Sequence, residues 1–308
     1  MYYFIVNPSS RQGRGEKIWN KLEKLLKKKR VEYEAYLTQH PGDARMIAKM
    51  LTKTNRDEKV IVAVGGDGTL NEVLDGTSLH EKITLGYIPA GSGNDFARSL
   101  RMPASLNRCV KRILSPKCYQ LLDYGVLTFG SRAEHRRFAV SAGIGIDGAV
   151  CHEFAKSSLS KRPFARLYLA RLGYIFLGLK QLFFFKPCKG YLILDQVKKI
   201  EFNHIFFMSA HIHPFEGGGF QFAPRASGTS GKLTICVVSN EKRRNLIPIL
   251  ASALLTRKKG RRGIRTFECR EAFFHVERPM EVHTDGEPCG IWNDLQAECI
   301  GKKIRFIM

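Results

Sequence analysis

The chain has 308 residues, of which 44% are hydrophobic and 25% are charged, a composition that excludes a wholly disordered protein. Its 50 Lys and Arg side chains outnumber its 28 Asp and Glu, and the net charge of +22 indicates an anionic partner. No apolar run approaches the roughly 20 residues of a membrane-spanning helix. No basic segment precedes the first apolar run, so we expect no signal peptide. The eight cysteines include no CxxC pair, so we expect free thiols in a reducing cytosol.

The first half of the chain alternates predicted strands and helices. Apolar runs predict strands at residues 2–6, 31–37, 60–64 and 83–88. Apolar residues at helical spacing predict amphipathic helices near 18–26 and 44–51, between the first three strands. This rhythm is typical of a parallel sheet with helices on both sides, and the ligands of such sheets bind beyond the carboxyl ends of the strands.

Two glycine-rich loops follow the third and fourth of these strands. In the first, Gly65-Gly66-Asp67-Gly68-Thr69, we expect Thr69 to cap the next helix and Glu72 to complete a capping box. Helix N-termini of this kind bind phosphate, and the carboxylate of Asp67 then needs a cation beside it. The second loop, Gly91–Asp95, repeats the arrangement with Ser92 as the predicted cap. A capped turn without a ligand explains either loop alone, but two such loops at neighbouring strand ends favour a binding cleft.

From about residue 125 the pattern changes to short alternating runs, several of them separated by glycine clusters. Strands are predicted at 137–141, 191–194, 205–210, 233–238, 273–276 and 280–283. They indicate an antiparallel β domain, a sandwich or an open barrel, with helical insertions near 152–185 and 242–257. The predicted domains are therefore 1–124 and 125–291, with a tail at about 292–308 that packs back on the first domain.

The excess of positive charge lies in two windows of this second half. Residues 154–194 contain eight Lys and Arg and residues 242–267 contain nine, and neither window contains an acidic residue. The first window also interleaves its cations with aromatic residues, which predicts a face that docks on an anionic bilayer. A buried helix with a basic flank explains the pattern equally well, and nucleic acid is a third alternative without a supporting motif.

An acidic turn, Asp285-Gly286-Glu287, follows a predicted strand late in the chain. Asp-Gly after a strand is an ordinary turn signal. In a chain with a phosphate-binding cleft, the two acids are also candidates for a general base and its partner. An Asp is a weak base in water, but it suffices where phosphoryl transfer depends mainly on positioning and charge neutralisation.

Together these motifs resemble those of the diacylglycerol-kinase catalytic-domain superfamily, and specifically those of its soluble bacterial lipid kinases. The resemblance covers nearly the whole chain. The motifs that carry it are Asn7-Pro8-Ser9-Ser10, Thr38 with the 41–44 run, the 65–72 run, Gly91–Arg98, Leu122–Gly125, Gly143–Asp147, Gly217–Gly219 and Asp285–Glu287. The 65–72 run is shared with NAD kinases and phosphofructokinases, whereas the Gly91–Arg98 run is more specific to lipid kinases.

The resemblance implies an ATP-dependent lipid kinase with two domains: an N-terminal α/β nucleotide domain on a parallel sheet, of the NAD-kinase and phosphofructokinase type, and a C-terminal antiparallel β-sandwich. It places ATP at Asn7, Ser9, Ser10, Thr38, Gly65, Gly66, Asp67, Gly68, Thr69, Glu72 and Ser92. It makes Asp285 the residue that takes the proton from the lipid hydroxyl, assisted by Glu287. It also implies that Asp67, Asp95 and Asp123 surround the catalytic Mg²⁺.

The acceptor that the resemblance favours is diacylglycerol, whose phosphorylation gives phosphatidic acid. A sphingoid base, a glycerophospholipid and NAD are alternative acceptors. A basic module that binds membrane or nucleic acid without catalysis is an alternative of another class. We expect a cytoplasmic protein that associates peripherally with an anionic membrane and binds no nucleic acid, and a homodimer is one possible assembly.

One stretch departs from the family pattern. Relatives often hold a structural Mg²⁺ with an Asp-Asp-Gly-x-Leu run, where this chain has Thr229-Ser230-Gly231-Lys232-Leu233. Ser227 and Ser230 offer hydroxyls and Lys232 adds a positive charge, whereas a hard dication prefers carboxylate and carbonyl oxygens. We therefore expect this second metal site to be absent or weak, with the charge of Lys232 in its place.

Overall fold

The computed structural model describes residues 1–53, 57–156, 178, 180–181, 184–255 and 263–308. These residues form two compact units, one of residues 1–124 with 301–308 and the other of residues 125–300. Much of both basic windows, at 157–177 and 256–262, lies outside the described residues. Within the described ranges, no helix is both long enough and apolar enough to cross a bilayer.

The first unit is built on a parallel sheet. Its elements are β1 Tyr2–Val6, α1 Arg14–Lys28, β2 Tyr33–Leu37, α2 Asp43–Thr52, β3 Lys59–Gly65, α3 Asp67–Gly76, β4 Ile83–Pro89, α4 Asp95–Ser99 and α5 Leu106–Leu114. β1 pairs in parallel with β2 and β3, and β3 pairs in parallel with β4. Near the C-terminus, Arg305 and Phe306 extend the sheet by parallel pairing with Thr84 and Leu85 of β4.

The spacing of apolar residues explains how α1 and α5 pack in this unit. α1 buries Trp19, Leu22 and Leu26, which recur every three or four residues and therefore share one face. Val110 and Ile113 of α5 belong to the same buried cluster, together with apolar side chains of β1, β3 and β4. Each such side chain contributes roughly 1.5–3 kcal/mol relative to full exposure. This packing fixes the sheet whose strand ends carry the loops described below.

The second unit is an antiparallel β structure with inserted helices. Its elements are β5 Tyr119–Phe129, β6 Glu134–Phe138, β7 Ser141–Gly145, α6 Ile146–Lys156, β8 Cys188–Leu194, β9 Lys198–His211, β10 Leu233–Ser239, α7 Arg243–Leu255, β11 Ile264–Cys269, β12 Glu271–Thr284 and β13 Glu287–Ile307. β5 begins and β13 ends among residues of the first unit. The strand order is β11-β10-β9-β7-β12-β13, and β8 pairs with both β9 and β12.

Three of the predicted strands in this unit are joined or divided in the structure. The predicted strands 273–276 and 280–283 form a single strand, β12, whose register with β13 shifts between His275 and Met280. A bulge of this kind interrupts the sequence alternation without ending the strand. The predicted strand 137–141 is instead divided between β6 and β7, because the backbone N–H groups at residues 139 and 140 bond to the carboxylate of Asp285 rather than to a neighbouring strand.

A histidine is buried directly after β9. His213 is 2% exposed, and burial lowers its pKa to about 4. The surroundings are tight, because a Cβ atom on Gly228 would lie 2.4 Å from Cε1 of His213. The imidazole is therefore neutral in the folded protein at neutral pH.

This histidine makes the stability of the fold depend on pH. The unfolded chain binds a proton at His213 below about pH 6.5, whereas the folded chain binds it only near pH 4. His213 therefore does not lower the free energy of unfolding above pH 6.5. As the pH decreases towards 4, this residue lowers the free energy of unfolding by on the order of 3 kcal/mol. Urea unfolding between pH 7 and pH 4 should show a shallower loss for His213→Gln than for the unmodified chain. Parallel losses for the two proteins would contradict the assignment.

Candidate active site

The predicted nucleotide-binding residues of the first unit gather at one edge of its sheet. Asn7 follows β1, Thr38 follows β2, and the 65–69 loop begins at the end of β3. The backbone N–H of Thr38 donates to the carbonyl of Val6 at 2.9 Å, and that of Asn7 donates to the carbonyl of Val64 at 2.9 Å. Because parallel strands place their carboxyl ends at the same edge, these loops share one rim, as ligand-binding loops do in such sheets.

The two glycine loops contact each other through their backbones. A Cβ atom on Gly91 would lie 2.5 Å from Cα of Gly66, and one on Gly66 would lie 3.3 Å from Cα of Gly91. The side chain of Asn94 holds the second loop, since its Oδ1 accepts from the N–H of Gly91 and its Nδ2 donates to the carbonyl of Gly91, both at 3.0 Å. The hydroxyl of Tyr87 donates to the carbonyl of Gly65 at 3.1 Å. The glycines are therefore required for loop-to-loop approach, a role that the sequence did not indicate.

Asp67 caps a neighbouring helix. Its Oδ2 accepts from the backbone N–H of Asp95 at 3.0 Å and its Oδ1 accepts from that of Phe96 at 3.2 Å, at the first turn of α4. Burial raises the pKa of Asp67, and these N–H groups and the charge of Arg98 oppose the rise. The predicted cap Ser92 is wrong, because α4 begins three residues later, with Asn94 at its N-cap in the left-handed conformation. Ser92 itself is exposed on the loop.

The predicted capping box at Thr69 and Glu72 is also wrong. α3 begins at Asp67, two residues before Thr69, with Gly66 at its N-cap. Thr69 Oγ1 accepts a hydrogen bond from Nδ2 of Asn7 at 3.2 Å. Glu72 accepts from the backbone N–H groups at residues 42 and 44, at 3.0 and 3.2 Å, and so holds the start of α2. Tertiary partners thus compete successfully with the local capping pattern.

The loop between β1 and α1 is a further part of this rim. The N–H of Ser10 donates to the carbonyl of Asn7 at 3.2 Å, and the N–H of Gly15 donates to the carbonyl of Ser10 at 3.1 Å. Ser9 is exposed and Ser10 is half-buried. The hydroxyl of Ser9 therefore lies at the surface of a loop whose backbone is fixed.

Each carboxylate of the predicted magnesium network has a protein partner. Asp95 is buried and forms an ion pair with Arg98. Asp123 is buried and accepts from the backbone N–H of Lys302 at 2.8 Å, which fastens the C-terminal segment to the first unit. Within the described ranges, Asp67, Asp95 and Asp123 do not form a group with ligand atoms close enough to hold an ion. Their role around Mg²⁺ stays a prediction.

The second unit holds Asp285 rigidly in its turn. Asp285 has φ 48° and leads from β12 into β13. Its Oδ2 accepts from the N–H of Ala139 at 2.7 Å, and its Oδ1 accepts from those of Val140 and Ser141 at 2.8 and 2.9 Å. These bonds favour the ionised carboxylate and use three of its roughly four lone-pair positions. Glu287, at the start of β13, is exposed.

The sequence did not indicate a buried polar cluster beside this turn. His283 Nε2 lies 3.2 Å from Asp147 Oδ2 and 3.2 Å from Glu216 Oε1. Burial raises the pKa of Asp147. Burial also acts to raise the pKa of Glu216, but the hydrogen bond and the charge of His283 outweigh this effect, so the pKa of Glu216 is lowered. One feature could have indicated the cluster, namely that His283 is a polar residue at a fully buried position of β12.

The polar side chains of the 227–232 loop form hydrogen bonds within the loop itself. The hydroxyl of Ser230 donates to the carbonyl of Ser227 at 2.9 Å, and Ser227 Oγ lies 3.1 Å from Thr229 Oγ1. Lys232 directly precedes β10, and its Nζ lies 3.9 Å from Oε2 of Glu268 on β11. Hydroxyl residues, Thr229 and Ser230, thus stand at the two Asp positions of the pattern, and Lys232 stands at its variable position.

Comparisons with known proteins agree with the two units. The sequence model of the diacylglycerol kinase catalytic domain matches residues 1–121, and that of the YegS C-terminal NAD kinase beta sandwich-like domain matches residues 140–307. A crystal structure described as a putative diacylglycerol kinase of Bacillus anthracis superimposes with a TM-score of 0.74 over 99% of this chain and 96% of that chain. The sequence identity is 22%, so this superposition shows a shared fold alone.

Curated relatives extend this comparison. The chain is 29% identical over 294 residues to "Putative lipid kinase YtlR" of Bacillus subtilis, covering 94% of both chains. It is 27% identical over 297 residues to a diacylglycerol kinase of Bacillus subtilis, covering 93% of this chain and 89% of that one. It is 39% identical to a diacylglycerol kinase of Staphylococcus haemolyticus over 115 residues, 36% of this chain and 33% of the relative.

These matches confirm the combination that the sequence motifs implied, a diacylglycerol kinase catalytic domain followed by a β-sandwich-like domain. The match to the second domain alone covers more than half of the chain. The chain therefore belongs to the family of diacylglycerol-kinase-like lipid kinases.

Proposed function

We propose that the chain transfers the γ-phosphate of ATP to the hydroxyl of a membrane lipid, with diacylglycerol as the acceptor and phosphatidic acid as the product. The observation that carries the proposal is the rim of loops at the carboxyl ends of β1–β4, in a chain of a lipid kinase family. Relatives that bear the name diacylglycerol kinase support the choice of acceptor.

The residues at the rim fit a nucleotide. α3 begins at Asp67, directly after two glycines, so the N–H groups of its first turn face the rim and are suited to an anion. Asn7, Thr38 and the hydroxyls of Ser9, Ser10 and Ser92 add polar groups around it. Glu72 acts indirectly in this proposal, because it holds the start of α2.

The proposal includes a magnesium ion. Mg²⁺ bound to the phosphates would neutralise the charge that develops during phosphoryl transfer. Oxygen ligands suit it, and it usually keeps several waters and takes only one or two carboxylates from the protein. Asp67 and Asp95, which follow β3 and β4, would meet it at the rim. Their existing bonds to N–H groups and to Arg98 hold both carboxylates in place.

We assign the proton transfer to Glu287. As the lipid oxygen attacks the γ-phosphorus, Glu287 accepts the hydroxyl proton, the bond between the β–γ bridging oxygen and the γ-phosphorus breaks, and ADP leaves. Asp285 positions this residue by holding the turn to the backbone at residues 139–141. This division of roles differs from the expectation that Asp285 is the base.

The acceptor is tested with γ-labelled ATP against micelles that each contain diacylglycerol, a sphingoid base or a glycerophospholipid, and against NAD in solution. We expect label on diacylglycerol at a rate well above that on the other lipids. Preferential labelling of another lipid would correct the acceptor. Labelling of NAD and of no lipid would contradict the proposed function.

We further propose that the second unit docks on an anionic bilayer through the described ends of the two basic windows. Phe184 is 74% exposed and Ile247, on α7, is 49% exposed. The two ends meet, because Nη2 of Arg243 donates to the carbonyl of Phe185 at 3.0 Å. Exposed apolar side chains within acid-free basic segments are typical of surfaces that enter the interface of an anionic membrane.

Vesicle sedimentation tests this docking surface. The double variant Phe184→Ser and Ile247→Ser should bind vesicles containing anionic lipid several-fold more weakly than the unmodified chain, since less apolar area enters the bilayer. Met46→Ser is the matched control, because Met46 is 68% exposed but lies on α2 of the first unit. Binding of the unmodified chain should also weaken at high salt. Equal binding by the double variant and the control would exclude these residues from the surface.

A further inference from the structure

Three antiparallel strands bring the buried polar cluster of the second unit together. His283 of β12 pairs with Gly143 of β7, and Gly143 pairs in turn with Ser209 of β9. Asp147 reaches the same place from the first turn of α6, which approaches β12 so closely that a Cβ atom on Gly148 would lie 2.2 Å from the carbonyl oxygen at residue 281. Residues far apart in the chain thus converge at one point.

Glu216 reaches this point from a loop that is closed on itself. Its N–H donates to the carbonyl of Phe220 at 2.8 Å, and the N–H of Phe220 donates back to its carbonyl at 2.9 Å. The intervening Gly217, Gly218 and Gly219 all have positive φ, which glycine adopts without strain. The glycine triplet therefore has a structural purpose, which is to present the carboxylate of Glu216.

We propose that Asp147, Glu216 and His283 bind a divalent transition-metal ion, separate from the Mg²⁺ of phosphoryl transfer. One ligand atom from each of the three residues lies within 4.8 Å of the other two. The imidazole nitrogen is 3.2 Å from each carboxylate oxygen. Such separations suit ligands that each lie about 2.0–2.2 Å from a shared ion.

The surroundings of the three residues support an ion. Gly143 leaves the space open, because a Cβ atom there would lie 2.3 Å from Asp147 Oδ2 and 2.9 Å from His283 Nε2. The second oxygen of Asp147, Oδ1, accepts from the N–H of Gly148 at 2.8 Å and so orients Oδ2 towards the cluster. Ligating carboxylates are commonly oriented by hydrogen bonds of this kind.

The charges of the buried side chains also favour a bound cation. Asp147 and Glu216 are both largely buried, and within the described residues their ion pairs are with histidines only. Oε2 of Glu216 is buried without a hydrogen-bond partner among those residues and lies 3.4 Å from His211 Nε2. Two buried carboxylates need compensating positive charge. A mixed nitrogen and oxygen donor set favours Zn²⁺, Mn²⁺ or Fe²⁺ over Mg²⁺.

The ion competes with a proton for the same position. The N–H of Gly286 donates to His283 Nδ1 at 3.3 Å, which places the imidazole proton on Nε2, between the two carboxylates. Binding of an ion at Nε2 moves that proton to Nδ1, so that the amide of Gly286 must turn away.

Metal analysis and thermal unfolding of the full-length chain test the site without reference to kinase activity. We expect about one transition-metal ion per chain, or its uptake after treatment with a chelator. The Tm should rise by roughly 5–10 °C when Zn²⁺ or Mn²⁺ exceeds the Kd about 100-fold. Mg²⁺ at the same concentration should have a much smaller effect.

Matched variants decide between this site and adventitious binding. Glu216→Gln and Gly143→Ala should abolish both the bound ion and the rise in Tm, by removing a ligand and by filling the space. Asp294→Asn is the control, since Asp294 forms an exposed pair with Nδ1 of His275 at 2.7 Å. Equal metal binding by the unmodified chain and both site variants would overturn the proposal. So would the absence of any ion together with an unchanged Tm in the unmodified chain, which would leave only the proton-bound state.

Discussion

Glu287→Gln should lower turnover by roughly 10²–10⁴-fold, the range that a positioned general base contributes, while the Tm stays close to that of the unmodified chain. Glu287 is exposed at the start of β13, so its replacement by an isosteric amide removes the proton acceptor without disturbing a packed region. Steady-state kinetics with labelled ATP and thermal unfolding measure the two effects separately.

Asp285→Asn is the matched comparison, and its expected effect is on the fold. An amide cannot accept from the three backbone N–H groups at residues 139–141 as the carboxylate does, and its NH₂ group faces donors. Leaving buried donors unsatisfied costs about 1–3 kcal/mol. We expect a lower Tm, with loss of activity that follows from the displaced turn. Near-normal turnover in Glu287→Gln, with a large loss in a stably folded Asp285→Asn, would return the base to Asp285.

Gly91→Ala should abolish ATP binding and destabilise the first unit by about 1–3 kcal/mol, as overpacking does in a rigid region. The added methyl group would lie 2.5 Å from Cα of Gly66 and 2.9 Å from Oδ1 of Asn94, so the two loops must separate. Because the neighbour at Gly66 is backbone rather than a flexible side chain, the strain cannot be relieved by a change of rotamer.

Gly86→Ala is the control for this variant. Gly86 lies within β4, the strand that precedes the loop of Gly91, and a Cβ atom there would meet only side-chain atoms at 3.4 Å or more, which are ordinary contacts. We expect nearly unchanged ATP affinity and Tm. Isothermal titration with ATP and thermal unfolding of both variants check the pair. ATP affinity that survives in Gly91→Ala would contradict the role of the loop contact.

Local patterns predicted the first unit well, because strands buried on both faces are continuous apolar runs. β1 has the predicted bounds, and β4 extends one residue beyond the predicted strand 83–88. The position of each loop at a strand end followed from these runs. The loops themselves were identified by their residue types, glycine followed by Asp or Ser, and their occurrence at two neighbouring strand ends favoured a binding cleft.

Partners distant in sequence explain what local patterns missed. The residues at Thr69 and Glu72 fit a capping box, but Asn7 and the start of α2 take their hydrogen bonds. The carboxylate of Asp285 looked available for catalysis, because nothing near it in sequence reveals that the backbone at 139–141 binds it. Such contacts arise only when the strands pair, and no periodicity encodes them.

Contacts between distant parts of the chain also explain why the sequence did not indicate the cluster of Asp147, Glu216 and His283. Asp147 ends the Gly143–Asp147 motif, whereas Glu216 and His283 only precede the Gly217–Gly219 and Asp285–Glu287 motifs. The three residues lie in different parts of the chain. Only the register of β12, β7 and β9 places them at one point. Buried polar residues on strands that are otherwise apolar, such as His283, are the signal that merits attention in related sequences.

Transfer of the γ-phosphate of ATP to a lipid hydroxyl can be measured directly. The most direct test follows the label of γ-labelled ATP, with Mg²⁺ and diacylglycerol micelles, into the organic-soluble fraction, for the unmodified chain and for Glu287→Gln. We expect rapid labelling of phosphatidic acid by the unmodified chain and a loss of at least about 10²-fold in the variant. Label that stays entirely in the aqueous phase, as inorganic phosphate or on NAD, would contradict it.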